Sequence, residues 1–220
     1  MHVNKLLRFA TTFHSLAAGE KLPPDSKDLS TVLKNLAALE TYTARKDYAE
    51  KNLEHLSSGS SRIVYLTPKK TIIKMAKNDR GLAQNRAEEN ASKVDSKYLN
   101  KVLSRAPNDA WIEVSYLQKI TEKDFKNMTD IDFKDFGEAI RFSLKKISGN
   151  IDTEKPENYS KVSGTSFFKE IEMIGKKLDL MPGDIARISS FGKKDNHPVL
   201  LDVGLTSTVF AEFYEDSSTT

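Results

Sequence analysis

The sequence predicts an α+β protein, with a small sheet in its N-terminal half and a mainly helical C-terminal half. Three observations support this fold class. Short apolar runs of strand length, separated by turn sequences, lie between residues 62 and 117. After residue 118, apolar residues recur instead at helical spacing. Leucines at helical spacing also precede the sheet, between positions 29 and 39.

The first 56 residues are predicted to form a helical extension. Apolar residues recur at helical spacing over residues 2–18, and the prolines at 23–24 end that pattern. Ser26 is a candidate N-cap for a second helix that reaches about Leu53. The two helices are predicted to form a hairpin that packs on the rest of the protein, or that contacts a protein partner. Neither helix concentrates basic residues, so a DNA-binding helix-turn-helix is disfavoured.

Residues 57–117 are predicted to contain the sheet. A small-residue loop at 57–61 is followed by two strands, one polar helix and two further strands, at 62–66, 71–76, 81–94, 102–103 and 111–117. Lys74 lies within the second apolar run, and Glu88 and Glu89 lie on the polar helix. Because a lysine on a strand is usually a surface residue, Lys74 alone predicts no site.

Residues 118–220 are predicted to be mainly helical. Two long helices, a polar loop between them and a short final helix are expected, at 133–147, 148–165, 167–178 and 209–214. Asp184 follows the second long helix, in Pro182-Gly183-Asp184. Asp202 ends a buried strand at 198–201 and begins the sequence Asp202-Val203-Gly204. Each aspartate by itself is equally compatible with an ordinary turn or helix cap.

Composition excludes several classes of site. The 220 residues include 34 Lys and Arg and 31 Asp and Glu, a net charge of +3 that is too small to imply nucleic acid binding by itself. There is no cysteine, which excludes disulfides and thiolate sites. No apolar run approaches the ~18 residues of a membrane helix, and polar residues interrupt the N-terminal segment where a signal peptide would be apolar. We therefore expect no membrane segment and a cytoplasmic location.

The order of these motifs, from about residue 57 to residue 206, resembles protein kinases. A small-residue loop, a strand lysine, a helix with glutamates, two strands, helices, a loop aspartate and an Asp-x-Gly sequence follow one another. Asp184 and Asp202 lie 18 residues apart, a spacing typical of the loop aspartate and the magnesium aspartate of kinases. More narrowly, residues 74–85 and 200–206 resemble small kinase-like proteins encoded by large bacteriophages.

The resemblance implies a two-lobed protein-kinase-like fold that binds ATP and Mg²⁺. A small antiparallel N-lobe would occupy residues 57–117 and a minimal helical C-lobe residues 118–220, after the N-terminal helical hairpin. Gly59 would lie over the phosphates, because small residues allow the backbone of a loop to approach phosphates closely. Lys74 would neutralise the phosphates, and Glu88, or its neighbour Glu89, would orient Lys74.

The same resemblance assigns the chemistry to later residues. Asp202 would hold magnesium, with Ser189 at the position of the second metal ligand, and Asp184 would accept the proton of the attacking hydroxyl. Lys74 and Asp184 are therefore the predicted catalytic residues. Two departures from kinases accompany them. Ser189 replaces an asparagine, which is a stronger magnesium ligand, and only 16 residues follow Gly204, too few for an activation segment and a peptide-binding platform.

Two functions follow from these features. The first is a phage-encoded, ATP- and Mg²⁺-dependent phosphotransferase whose acceptor the sequence does not identify. The alternative is a catalytically inactive kinase-like protein, a pseudokinase, with a structural or interaction role such as a phage virion component. Lys74, Asp184 and Asp202 favour the first, whereas Ser189 and the short C-lobe favour the second. Either would place the chain in the host cytoplasm or in a phage particle. Nucleic acid binding is disfavoured, because only one aromatic residue lies near the basic cluster at 69–80.

Overall fold

The computed structural model of the protein describes residues 28–147 and 154–214. The predicted helix at 2–18 and part of the predicted loop at 148–165 lie outside the described residues. Within the described ranges, no helix combines the length and the hydrophobicity that crossing a membrane requires.

Within the described residues, two helices lie where the second helix of the N-terminal extension was predicted as one long helix. Helix α1 (Leu29–Ala38) ends in an extended residue, Leu39, and helix α2 (Tyr42–Asn52) begins after Thr41. The Thr41 hydroxyl accepts a hydrogen bond from the backbone N–H of Ala44, and this N-cap starts a new helix instead of continuing the old one. The leucines at helical spacing end at Leu39, where the break begins, whereas the predicted helix continued past them to about Leu53.

Five strands form one antiparallel sheet in the order β1-β2-β3-β5-β4. The strands are β1 (Glu54–Ser58), β2 (Arg62–Leu66), β3 (Thr71–Ala76), β4 (Val102–Arg105) and β5 (Trp111–Ser115). Helix α3 (Asp79–Ala91) connects β3 to β4. The predicted α+β class is thereby confirmed. Strand β1 was not predicted, and the division predicted between residues 56 and 57 falls inside it.

The two faces of this sheet have different environments. The apolar side chains of Ile63, Tyr65, Ile73, Met75 and Trp111 are buried with those of α1 and α2 in one core cluster. Because successive strand residues point to opposite faces, the residues between them, including Lys74, belong to the other face. Helices α1 and α2 therefore cover one side of the sheet and leave the lysine side to face α3 and the C-terminal part.

The C-terminal part is mainly helical, as predicted, and includes a small second sheet. Its helices are α4 (Glu122–Thr129), α5 (Phe133–Ile147), α6 (Tyr159–Ser163), α7 (Ser166–Lys177), α8 (Pro182–Ile185) and α9 (Ser207–Phe213). The antiparallel strands β6 (Gln118–Lys119), β7 (Phe191–Lys194) and β8 (His197–Leu200) form the sheet. The predicted final strand and short helix correspond to β8 and α9, whereas β7, the hairpin partner of β8, was not predicted.

Aromatic packing fixes the position of β8 in the C-terminal core. The ring of Phe125 lies 5.0–5.6 Å, between centroids, from four other rings, those of Phe133, Phe136, Phe167 and Phe191. Such pairs each contribute about 0.5–1.5 kcal/mol beyond burial. Leu200 then donates to the carbonyl of Tyr98 (2.8 Å) and accepts from Asn100 (3.1 Å). These bonds tie the end of β8 to the segment before β4 and place the residues that follow Leu200.

Candidate functional site

Lys74 and Glu88 form an ion pair inside the protein. The Lys74 Nζ donates to the two carboxylate oxygens of Glu88 at 2.9 and 2.7 Å and to the carbonyl of Leu201 at 2.7 Å. Lys74 is 8% exposed and Glu88 3%. The neighbouring Glu89 pairs instead with Lys93. The structure therefore selects Glu88, of the two glutamates considered, as the partner of Lys74.

A second cation, Arg62, joins this pair and was not predicted. Its Nη1 donates to Oε1 of Glu88 and its Nη2 to Oδ1 of Asp202, at 2.9 Å. Desolvation alone would lower the pKa of Arg62, but the charges of Glu88 and Asp202 outweigh it and raise that pKa, so the guanidinium stays charged. In the β2–β3 register, Arg62 lies opposite Ala76, and Ala76 is two residues after Lys74 on the same strand. Alternation along β2 divides its side chains between two faces, but the register with β3 is needed to put Arg62 on the lysine face.

Asp202 follows β8 and lies at this cluster. Its Oδ1 also accepts from the backbone N–H of Gly204 at 3.3 Å, and 55% of its side chain is exposed. Desolvation of the carboxyl by itself would raise its pKa, but the charges of Arg62 and Lys74 hold the pKa well below the usual range. Asp202 is therefore ionised and bound to a cation of the protein itself.

The Asp202→Asn variant is expected to be less stable than wild type at neutral pH, with a difference that narrows in acid. A carboxyl whose folded pKa is depressed contributes stability above its unfolded pKa of about 3.9, and that stability is lost as pH falls toward the folded pKa. Urea unfolding at pH 7, 5 and 3 measures the difference between the two proteins. Asp195→Asn, at an exposed turn, should follow wild type throughout. A difference for Asp202→Asn that stays constant down to pH 3 would contradict the assignment.

Two glycines let neighbouring segments approach α3 closely. A Cβ on Gly81 would lie 2.2 Å from the carbonyl oxygen of Ser61, and a Cβ on Gly204 would lie 2.9 Å from the carbonyl oxygen of Gln84 and 3.2 Å from Oε1 of Glu88. Real Cβ atoms do not approach backbone this closely. Gly204 thus provides the space that lets this segment lie beside the helix.

Helix α9 packs on α3 from the end of the described chain. Arg80 donates to the carbonyl of Phe213 at 3.1 Å, and its guanidinium lies 4.2 Å from the ring centroid of Tyr214. Gln84 donates to the Tyr214 hydroxyl at 3.2 Å and accepts from Ser61 at 2.7 Å. The segment after Asp202 therefore returns to the helix that carries Glu88 and holds it against the sheet.

Asp184 lies half-buried in α8, near the same cluster. Its Oδ1 is 3.0 Å from Nη1 of Arg187. Desolvation raises the pKa of Asp184; Arg187 opposes this rise and the negative charge of Asp202 adds to it. The two predicted aspartates are thus within electrostatic range of each other. Ser189 lies exposed in the turn 188–190, where it is Ser190 whose hydroxyl bonds to the Asp184 carbonyl.

Gly59 lies in a tight hairpin between β1 and β2. Its N–H donates to the carbonyl of Arg62 (2.8 Å), and its carbonyl accepts from Nζ of Lys77 (2.8 Å). The nearest atom to a Cβ at this position would be the Arg62 carbonyl oxygen at 3.7 Å, an ordinary contact. Space therefore does not require glycine here, and a role over phosphates stays a prediction.

An apolar strip flanks Lys74 on its face of the sheet. Val64 and Ile112 lie directly opposite Lys74, and Val114 lies opposite Ile72. Residues directly opposite in antiparallel strands point to the same face. Ile112 and Val114 are fully buried, whereas Val64 and Ile72 are half-buried. An apolar surface beside a few charged groups is the usual composition of a small-molecule site.

The described residues do not by themselves complete a magnesium site. No group of three or more His, Asp or Glu side chains within the described ranges could hold a metal, and Ser189 is exposed. Mg²⁺ in phosphate sites is bound through one or two carboxylates and the substrate phosphates. The carboxylate available for this, Asp202, is already bonded to Arg62.

Comparisons with known proteins concern the fold alone. No family model and no curated protein sequence matches the chain. Among solved structures, a streptomycin–ATP–APH(2")-IIa ternary complex matches at 13% identity and a TM-score of 0.36, over 76% of this chain and 71% of that one. A gentamicin–APH(2")-IIa complex matches at 12% identity and a TM-score of 0.36, over 76% of this chain and 70% of that one. A choline/ethanolamine kinase family protein from Mesorhizobium loti matches at 14% identity and a TM-score of 0.37, over 80% of this chain and 64% of that one.

Proposed function

We propose that this chain is a kinase-like phosphotransferase that binds ATP between the lysine face of the sheet and the segment carrying Asp202. The observation that supports this most directly is the buried Lys74–Glu88 pair with Asp202 beside it. A strand lysine oriented by a carboxylate on the next helix is how kinases contact nucleotide phosphates. These three groups, distant in sequence, lie in one cluster of charged side chains that also includes Arg62.

Nucleotide binding requires one exchange at Lys74. All three of its N–H groups are used, two by Glu88 and one by the Leu201 carbonyl. In the exchange, a phosphate oxygen replaces the neutral Leu201 carbonyl while Glu88 keeps the ammonium oriented. The new bond is favoured because hydrogen bonds between charged groups are the stronger ones. The half-buried Val64 and Ile72 offer an apolar surface for the base.

Phosphoryl transfer would use Asp184. The hydroxyl oxygen of the acceptor attacks the terminal phosphorus of ATP, the bond from that phosphorus to the ADP oxygen breaks, and Asp184 takes the hydroxyl proton. The raised pKa of Asp184 suits a base, because proton acceptance improves as the pKa approaches the working pH. Arg187 would have to release the carboxylate for this step.

A second candidate function is favoured by the bond between Arg62 and Asp202. A chain whose metal-binding carboxylate is neutralised by its own arginine could serve as a catalytically inactive interaction protein, with the N-terminal helices as its contact surface. A phage origin and a place in a phage particle are further predictions from the motifs at 74–85 and 200–206, and a cytoplasmic location is a further prediction from the composition.

ATP is expected to stabilise the wild-type protein against heat, and Lys74→Met should lose that stabilisation. A ligand at 100 times its Kd adds about 2.7 kcal/mol to the free energy of unfolding. Differential scanning calorimetry over a millimolar ATP series, with and without Mg²⁺, measures this. Lys69→Met, at an exposed turn of the neighbouring hairpin, should keep the wild-type response. An absent response, or an equal one in Lys74→Met, would refute nucleotide binding here.

Transfer of labelled phosphate from ATP distinguishes the two candidate functions. In the phosphotransferase, Asp184→Asn should retain the ATP-dependent stabilisation and lose transfer by about 10²-fold or more. Stabilisation by ATP with no transfer to water, to the chain itself or to a panel of hydroxyl acceptors would favour the inactive interaction protein.

A further inference from the structure

The guanidinium of Arg62 is bonded to two carboxylates, those of Asp202 and Glu88. Its Nη2 is 2.9 Å from Oδ1 of Asp202, and its Nη1 bonds to Oε1 of Glu88. Arg62 is 8% exposed, whereas 55% of the Asp202 side chain is exposed, so a buried arginine reaches a carboxylate that is open to solvent. A guanidinium is planar, permanently charged and able to bind two carboxylates at once.

The position of Arg62 is fixed by the elements around it. Strand β2 sets its backbone in register with Ala76, and Nη1 also donates to Oδ1 of Asn85 at 3.3 Å. Asn85 is fully buried and is itself held through a 2.8 Å bond to the carbonyl of Asp109. A side chain held in this way is built into the site. The other arginine of the cleft, Arg187, has a side chain that is 66% exposed.

We propose that Arg62 is a built-in cation that occupies the metal position of the cleft, so that a divalent metal binds at Asp202 only after Arg62 is displaced. The inference rests on the proposed function in one respect, namely that Asp202 is the carboxylate a nucleotide-bound metal would use. A divalent ion beside a retained guanidinium would meet like charge at close range in a poorly solvated site. Metal and Arg62 therefore compete for one carboxylate.

Direct measurement of Mn²⁺ binding in the absence of nucleotide tests this competition. Electron paramagnetic resonance counts free and bound Mn²⁺ in wild type, Arg62→Gln and the double variant Arg62→Gln/Asp202→Asn. Arg62→Gln should bind Mn²⁺ about tenfold or more tightly than wild type, a change on the scale seen when the surroundings of a metal ligand are altered. The double variant should lose that gain. Arg86→Gln removes an arginine from α3 that pairs with Asp109 and should behave as wild type.

The single variant Asp202→Asn provides the independent measurement. It retains Arg62, and its Mn²⁺ affinity should equal that of wild type, because wild-type Asp202 is not available to metal. Lower Mn²⁺ affinity in Asp202→Asn than in wild type would overturn the proposal, and so would equal Mn²⁺ affinity in wild type and Arg62→Gln. The measurement on Asp202→Asn remains decisive even if the Arg62→Gln variant does not fold. A failure of the proposed function would appear separately, as the absence of stabilisation by ATP.

Discussion

Replacing Glu88 with alanine is expected to lower the free energy of unfolding by about 3–5 kcal/mol, the cost of breaking a buried ion pair. Glu88 accepts bonds from both Lys74 and Arg62 and is 3% exposed. Its loss would leave Lys74 with only a carbonyl partner in a poorly solvated site. Chemical denaturation followed by circular dichroism gives the free energies for wild type and variant.

The adjacent Glu89 provides a matched control for this prediction. Its side chain is 22% exposed and pairs with Lys93 at the surface of α3. Because exposed pairs contribute about 0–1 kcal/mol, Glu89→Ala should cost no more than that. Equal losses in the two variants would mean that the position of Glu88 between Lys74 and Arg62 adds nothing to stability.

Gly81→Ala is expected to destabilise the fold by about 3 kcal/mol, at the upper end of the range for overpacking. The added methyl would lie 2.2 Å from the Ser61 carbonyl oxygen and 3.0 Å from Cα of Ala76. Both are backbone atoms, so relief requires α3 to move away from the β1–β2 hairpin. That movement would also displace Glu88 from Lys74, and ATP-dependent stabilisation should weaken along with the unfolding free energy.

Gly183→Ala separates this steric effect from the general effect of replacing glycine. No atom lies within 4 Å of a Cβ built on Gly183. Because alanine restricts the unfolded chain, this variant should be as stable as wild type or more stable by up to about 1 kcal/mol. If Gly81→Ala behaved in the same way, α3 could not be packed against the hairpin as the structure places it.

The pairing of Lys74 with a glutamate of α3 could be predicted because the order of the motifs resembles that of kinases. An apolar strand carries the lysine and the next helix carries two candidate glutamates, and the choice between Glu88 and Glu89 required the structure. Arg62 could not be predicted in the same way. An arginine at the first position of a strand commonly lies at the surface, and only the observed register shows that it points to Asp202.

The remaining differences arise from contacts that sequence patterns do not encode. The break between α1 and α2 depends on the Thr41 cap, a local hydrogen bond that the leucine spacing before it does not predict. The requirement for Gly81 and Gly204 depends on how closely α3 approaches two other segments, a tertiary distance. Patterns of apolar residues predict which elements form, and they carry no information about the closeness of their packing.

The charges in the cleft have a consequence for how a ligand would reach it. Lys74 and Arg62 contribute two positive charges, and Glu88 and Asp202 two negative ones, linked by ion pairs in the order Lys74, Glu88, Arg62 and Asp202. Such a balanced set produces little field beyond the Debye length of about 8 Å at physiological ionic strength. An anion arriving from solution would therefore gain little from electrostatic steering. Binding of the anion would depend instead on short-range rearrangement after contact, in which hydrogen bonds within the charged cluster are exchanged for bonds to the anion.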